Sequence, residues 1–236
     1  MIIDFHCHIG TDNEGPHLSL EELRASMEKN GIDKAVVFPF DTSDMNLIDE
    51  SMALLKEDDL FPFLRFNPNS VSADALSDLI PGFAGVKLHP RAQNFFVDDP
   101  QLFPLYRVIA KEGLPLLLHA DEAVDQAHPK RIINIARALP ELNIVMAHFF
   151  GNAVQFLQEV ALIPNLYVDI SINARTLRME KGVREGVKFI FASDAPFDSQ
   201  RVPIVKVEEC RISEEEKEKI FSGYAQDLLM PSPSER

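Results

Sequence analysis

Cysteine is nearly absent. Cys7 and Cys210 are the only two in 236 residues. Two cannot build a disulfide framework, and Cys7 lies in an apolar run where a buried free thiol is expected. This usage fits a reducing compartment. Basic residues are also scarce, with 23 Lys and Arg against 37 Asp and Glu, a formal net charge of −14. Phosphate-backbone binding needs a basic footprint, so nucleic acid is excluded as the main partner. No apolar run approaches the ~20 residues that span a bilayer. The opening MIIDFHCH has neither the basic region nor the apolar core of a secretory leader. A soluble, cytoplasmic protein with no membrane partner is expected. No Gly/Ser linker or composition break divides the chain, and no GxGxxG follows the first apolar run. The missing glycine fingerprint argues against a dinucleotide-binding sheet.

What is present is an alternation. Short apolar runs at 2–6, 34–38, 60–66, 84–89, 115–119, 143–148, 165–170 and 187–192 read as eight strands. Helical spacing occupies 19–30, 44–57, 71–79, 99–112, 128–139, 152–161 and 173–184. A polar segment then leads to a last helix over 213–229, whose start at Ser213 has the pattern of a capping box. Strict alternation implies parallel strands joined by helical crossovers. Eight such units favour a (β/α)8 TIM barrel, with a doubly wound open sheet as the alternative. One domain over residues 1–230 with a frayed tail at 231–236 is expected. Shared among eight units, 236 residues give about 29.5 each, close to the ~30 a lean βα unit needs. Such economy predicts short loops and a shallow site for a small substrate.

The polar chemistry sits at the ends of the runs. His6 and His8 end the first, Lys87 and His89 the fourth, His119 the fifth and His148 the sixth, and Asp194 follows the eighth. C-terminal strand ends form the mouth of a barrel, so residues scattered along the chain would converge there. Strand alternation puts His6 and His8 on one face, with Asp4 beside them and Cys7 opposite. Two imidazoles on one strand can share a metal, and His119 and Asp194 would add ligands from other strands. Three histidines and a carboxylate suit zinc or another borderline divalent ion. A lone strand-end histidine is usually structural, an isolated HxH is weak, and Asp194 before Ala-Pro fits a helix N-cap. Five of seven histidines at strand ends outweigh those bland readings.

The residues then match a known family. The stretches IIDFHCHIG (2–10), GVKLHP (85–90), DDPQLFPLY (98–106), GLPLLLHA (113–120), LNIVMAHFFG (142–151), NLYVDIS (165–171) and FASDAPF (191–197), closed by KIFSGYAQDLL (219–229), run in order along nearly the whole chain. The sequence resembles the amidohydrolase superfamily, in its branch of metal-dependent barrel hydrolases and decarboxylases. The resemblance implies metal ligation by His6, His8, His119 and Asp194. It implies that His148 is either catalytic or a ligand to a second ion, and that Lys87 is either a carboxylated bridge between two ions or an unmodified lysine. One divalent ion, zinc first, is expected, with a second ion and manganese or iron as alternatives. No arginine stands among Ile9, Gly10, Thr11 and Asp12, which departs from dihydroorotase-like relatives.

The expected activity is metal-assisted attack of water on an amide, lactone or ester carbonyl of a small substrate. Asp194 would be the base and His148 would steady the developing charge. Arg65, His89 and Arg91 are candidate substrate contacts, and Phe95 and Phe96 form either a lid or helix packing. Two other readings compete: metal-dependent, non-oxidative decarboxylation of a small acid, and a non-catalytic metal-binding barrel. A homodimer is the expected assembly.

Overall fold

A computed structural model describes residues 1–12, 15–40, 47–148 and 154–230, without the side chains of residues 154 and 155. The expected tail at 231–236 and the first residues of the helices expected near 44 and 152 lie outside that set. The chain opens with β1 (Ile3–Thr11), a two-residue strand β2 (His17–Leu18) and α1 (Leu20–Asn30). Strict alternation follows: β3 (Lys34–Pro39), α2 (Leu47–Leu54), β4 (Phe61–Arg65), α3 (Ala73–Leu79), β5 (Gly85–Leu88), α4 (Phe103–Lys111), β6 (Leu116–Leu118), α5 (Pro129–Ala138), β7 (Ile144–Met146), α6 (Val154–Ala161), β8 (Leu166–Asp169), α7 (Thr176–Glu185) and β9 (Phe189–Ile190). The helices α8 (Arg201–Glu208), α9 (Glu214–Glu218) and α10 (Tyr224–Leu229) complete it.

The nine strands form one sheet in the order β2-β1-β3-β4-β5-β6-β7-β8-β9. Every pairing is parallel except that of β2 with β1. The sheet is curled, and backbone hydrogen bonds link β1 to the segment from the end of β9 onward. Phe5 N donates to Phe191 O at 3.0 Å, Asp194 N to His6 O at 2.9 Å and His8 N to Ala195 O at 2.8 Å. All eight expected strands are therefore present. The expectation missed β2 and α8. The latter lies within the segment read as polar, because only Pro203, Ile204 and Val207 form its buried stripe. The helix expected over 213–229 runs unbroken over 214–229, with one π turn (Lys219–Gly223) joining α9 to α10.

Local chemistry explains the helix ends. At α1, Ser19 accepts from Glu22 N while the Glu22 side chain accepts from Ser19 N, and Gly31 ends the helix at φ 68°, a left-handed position that glycine adopts freely. The Ser213–Glu216 pair repeats the capping box at α9, as its sequence predicted.

Side chains on the strands feed two apolar layers. Ile3, Phe5, Val36, Phe38, Phe63, Leu117, Val145, Tyr167 and Ile190 pack inside the curled sheet, and Ala225 and Leu228 of α10 join them. Cys7, Ala35, Val37, Leu64, Val86, Leu88, Leu116, Leu118, Ile144 and Met146 face the helices. Cys7 and Cys210 are buried free thiols. Gly85 begins β5 where the inner layer is tightest, and a Cβ there would lie 2.4 Å from the Phe63 ring. Phe63 is itself fixed edge-on to Phe5 at 5.5 Å. Gly85→Ala therefore overpacks the interior by about 1–3 kcal/mol. Thermal melting should fall by roughly 2–12 °C for a chain of this size, and an unchanged midpoint would show that the ring moves aside freely.

Candidate metal centre

The mouth of the sheet is built by strand parity with two exceptions. On β5, Val86 and Leu88 face the helices, so Lys87 points inward. By the same alternation His119 after β6, Asp169 at the end of β8 and Asp194 after β9 turn to the inside. His6 needs a break in the pattern. Asp4 pairs with Ala35 but Cys7 with Val37, so β1 carries one extra residue against β3. Phe5 and His6 consequently both face inward. This corrects the expectation that Asp4 joins the histidines. Asp4 faces the helices, where Ser193 Oγ donates to it at 2.6 Å and Gln200 Nε2 at 2.9 Å. His148 is the second exception. It follows the inward Ala147, and a left-handed backbone, φ 63°, swings it back into the mouth. Asp194 shares that strained conformation, also at φ 63°. Such conformations in non-glycine residues cost about 1–3 kcal/mol and cluster at functional sites.

The result is one compact group. Ligand atoms of His6, His148 and Asp194 lie within 4.8 Å of one another, and all three residues are buried. Asp194 Oδ1 is 2.9 Å from His6 Nε2 and 3.1 Å from His8 Nε2. His148 Nε2 is 3.1 Å from His119 Nδ1, whose ring stacks on His89 with centroids 3.8 Å apart. Lys87 Nζ donates to His6 Nε2 at 3.2 Å and lies 5.2 Å from the Phe38 ring centroid. The predicted set His6, His8, His119, His148, Lys87, His89 and Asp194 thus lines one cavity of about 270 Å³, with Ile172 and Phe197. Asp194 is no helix cap, since its carboxylate is turned to the two imidazoles.

Sequence reasoning overlooked Asp169, Ser171 and Phe197. Asp169 Oδ2 accepts from His6 Nδ1 at 2.8 Å, and its Oδ1 accepts from His148 N at 2.7 Å. An acid closing the seventh apolar run, at the strand end where the other site residues were found, was the available signal. Phe197 is 48% exposed and stands edge-on to His8, 5.4 Å between centroids. It occupies the mouth position that the sequence offered to Phe95 and Phe96. Phe95 is buried in the outer layer, and Phe96 instead packs under Arg131 at 4.8 Å.

The arginines differ from expectation as well. Arg65 is buried, donating to Pro39 O at 2.7 Å; it is not among the residues lining the cavity, but its charge acts on His8 and His89, which are. Arg91 is exposed, 3.9 Å from Asp121, and is also away from it. The guanidinium at the mouth belongs to Arg175. It lines an adjoining cavity of about 560 Å³ together with His119, His148, Ile172 and Asp194. Arg175 makes no ion pair among the described residues.

The electrostatics prepare neutral imidazoles beside charged carboxylates. Burial pushes His8 down to about 3 and His148 down to about 4. Burial also drives His89 and His119 well below the ordinary imidazole value. For His6, burial and Lys87 act downward, but Asp194 and Asp169 outweigh them and raise it. Asp194 resists its own burial because His6 and His8 hold it below the carboxylate range. Asp169 is held to about 2, the His6 hydrogen bond overcoming burial.

The donor set fits a divalent cation. Neutral imidazole nitrogens and a carboxylate oxygen are the ligand types zinc takes at ~2.0–2.2 Å, and ligand atoms of the three residues already lie within 4.8 Å of one another. His8 Nδ1 is buried with no hydrogen-bond partner among the described residues. The imidazole and carboxylate lone pairs that crowd here call for a shared positive charge.

A curled, mostly parallel sheet with histidines and an aspartate gathered at its C-terminal strand ends is the arrangement of an α/β barrel with a candidate metal site. The amidohydrolase family profile matches residues 3–229, and the chain belongs to that family. No functionally curated protein matched the sequence. Several solved structures share the fold. One is 5-carboxyvanillate decarboxylase from Sphingomonas paucimobilis, with 14% identity and a TM-score of 0.77 over 97% of this chain and 98% of that one. Another is a dihydroxybenzoic acid decarboxylase from a Polaromonas species, with bound manganese and the inhibitor 2-nitroresorcinol (16%, TM-score 0.75, 97% and 96%). A third is a probable 2-pyrone-4,6-dicarboxylic acid hydrolase from Acinetobacter baumannii with citric acid bound (16%, TM-score 0.74, 97% and 98%). Among the described residues no helix is long and apolar enough to cross a membrane.

Proposed function

We propose that the chain is a metal-dependent hydrolase that adds water to an amide, lactone or ester carbonyl of a small substrate. The observation that carries this reading is the convergence on Asp194 Oδ1, which lies within 3.1 Å of two histidine Nε2 atoms beside His148. His6, His148 and Asp194 would hold a divalent ion, with His8 and His119 in reach to complete the set. When bound, that ion supplies Lewis-acid activation of water or of a carbonyl oxygen. Asp194 accepts the proton of the attacking water and returns it to the leaving nitrogen or oxygen. His148 steadies charge that develops on the carbonyl oxygen. Lys87 stays an unmodified amine in this reading, its Nζ 3.2 Å from His6 Nε2 before the ion takes that lone pair. The eight parallel strands serve as a closed (β/α)8 barrel. Zinc as the ion, a cytoplasmic location and a homodimeric assembly belong to the same reading and rest on the sequence arguments.

Arg175 is the substrate anchor we assign in place of Arg65 and Arg91. A guanidinium with no ion pair among the described residues, beside the site of a chain carrying −14, suits a substrate carboxylate. Arg175→Ala should raise KM for an acidic substrate roughly tenfold or more, the worth of one charged hydrogen bond, with little change in kcat. An unchanged KM would remove Arg175 from the site.

Decarboxylation is the second reading. It is favoured by Phe197 and Arg175 flanking the mouth, which suit a planar carboxylic acid, and by the decarboxylases among the structural neighbours. One assay separates the two. Protein reloaded with zinc or manganese is incubated with small lactones, esters, amides and aromatic acids in 18O-labelled water. Hydrolysis places the label in an acid product and releases no carbon dioxide. Carbon dioxide release without labelled acid would establish the second reading instead.

A further inference from the structure

We infer that Ser171 is a positioning residue that, acting with Asp169, fixes His148 in the tautomer with its proton on Nδ1 and an unprotonated Nε2. The use made of the Nε2 lone pair rests on the metal-centre reading above; the tautomer itself follows from hydrogen-bond capacity. Asp169 Oδ1 accepts from two backbone N–H groups, His148 N at 2.7 Å and Ser171 N at 3.1 Å. A backbone N–H can only donate, so this oxygen is an acceptor. The Ser171 hydroxyl lies 2.6 Å from the same oxygen and has one hydrogen, which is committed there. Ser171 Oγ then meets His148 Nδ1 at 2.8 Å with only lone pairs to offer. The hydrogen in that contact therefore comes from Nδ1.

The consequence travels one ring further. With Nδ1 protonated, the neutral His148 ring has an unprotonated Nε2. The 3.1 Å contact with His119 Nδ1 is then donated by His119. That leaves His119 with its own Nε2 bare. A single buried hydroxyl thus sets the direction of a chain from Asp169 through Ser171 and His148 to His119. The other oxygen of Asp169 does the same for His6, accepting from Nδ1 at 2.8 Å and leaving Nε2 toward Asp194. One carboxylate orients imidazoles from two strands so that each presents Nε2 to the cavity. Ligand histidines are commonly fixed in this manner by a partner at the second nitrogen. Here the partner of His148 is a serine that relays the carboxylate's demand.

The test is long-range 1H–15N spectroscopy of metal-free protein labelled at histidine, in the native chain and in Ser171→Ala. In the native chain His148 should show a protonated Nδ1 and an unprotonated Nε2. In Ser171→Ala the two nitrogens should become averaged or exchange roles, and Zn2+ affinity, read by competition with a chromophoric chelator, should fall about tenfold or more. A native His148 protonated on Nε2 would overturn the inference. So would a Ser171→Ala protein that keeps the native tautomer and the native Zn2+ affinity. A native chain with the Nδ1 tautomer but no Zn2+ binding would uphold the relay and remove the metal reading instead.

Discussion

Asp194→Asn should lower turnover by about 10²–10⁴-fold, the usual worth of a positioned acid–base group. The amide is nearly isosteric and keeps one acceptor oxygen, so the fold need not change. What it loses is the ability to take a proton. Asp194 gains a proton and gives it up again only during turnover, because His6 and His8 hold it ionised at rest. Steady-state kinetics on metal-loaded protein, paired with a thermal melt, checks this. Near-native kcat would show that Asp194 is not the base.

His6→Ala should remove most bound divalent ion. His6 is the hub of the cluster: Nε2 meets Asp194 at 2.9 Å and Lys87 at 3.2 Å, while Nδ1 donates to Asp169 at 2.8 Å. Truncation deletes one ligand outright and leaves Oδ2 of the wholly buried Asp169 without its donor, while Oδ1 keeps those from His148 and Ser171. Losing a charge-assisted hydrogen bond to a buried carboxylate costs about 1.5–3 kcal/mol. Elemental analysis should therefore report well under one equivalent of metal, together with a lowered melting temperature. Full metal content in His6→Ala would place the ion elsewhere.

How much of this was legible in the sequence depends on parity. Where a strand keeps its alternation, the site could be read directly: Lys87, His119 and Asp194 all fall on the inward side. His6 is inward only because β1 takes an extra residue against β3, and no residue in IIDFH announces that bulge. The same bulge sends Asp4 outward, against the expectation. His148 reaches the mouth through a left-handed backbone, a conformation that histidine does not signal. The eight strands and most helices were legible because apolar runs and helical spacing carry them. The short antiparallel β2 lacks any such run, and α8 buries too narrow a stripe to stand out. Arg65 and Arg91 were chosen by position near strand ends. The first is buried and donates to the Pro39 carbonyl, the second is exposed, and Arg175, just before α7, lines the adjoining cavity. Rim residues belong to loops, whose direction the strand pattern does not determine.

The central claim is that His6, His148 and Asp194 hold a divalent ion. Anomalous diffraction at the zinc and manganese edges, on crystals of the native protein grown with the metal, tests it most directly. The account predicts an anomalous peak among those three side chains, with His8 and His119 beside it. A metal-replete crystal with no peak there, or with its peak at another group of residues, would contradict it.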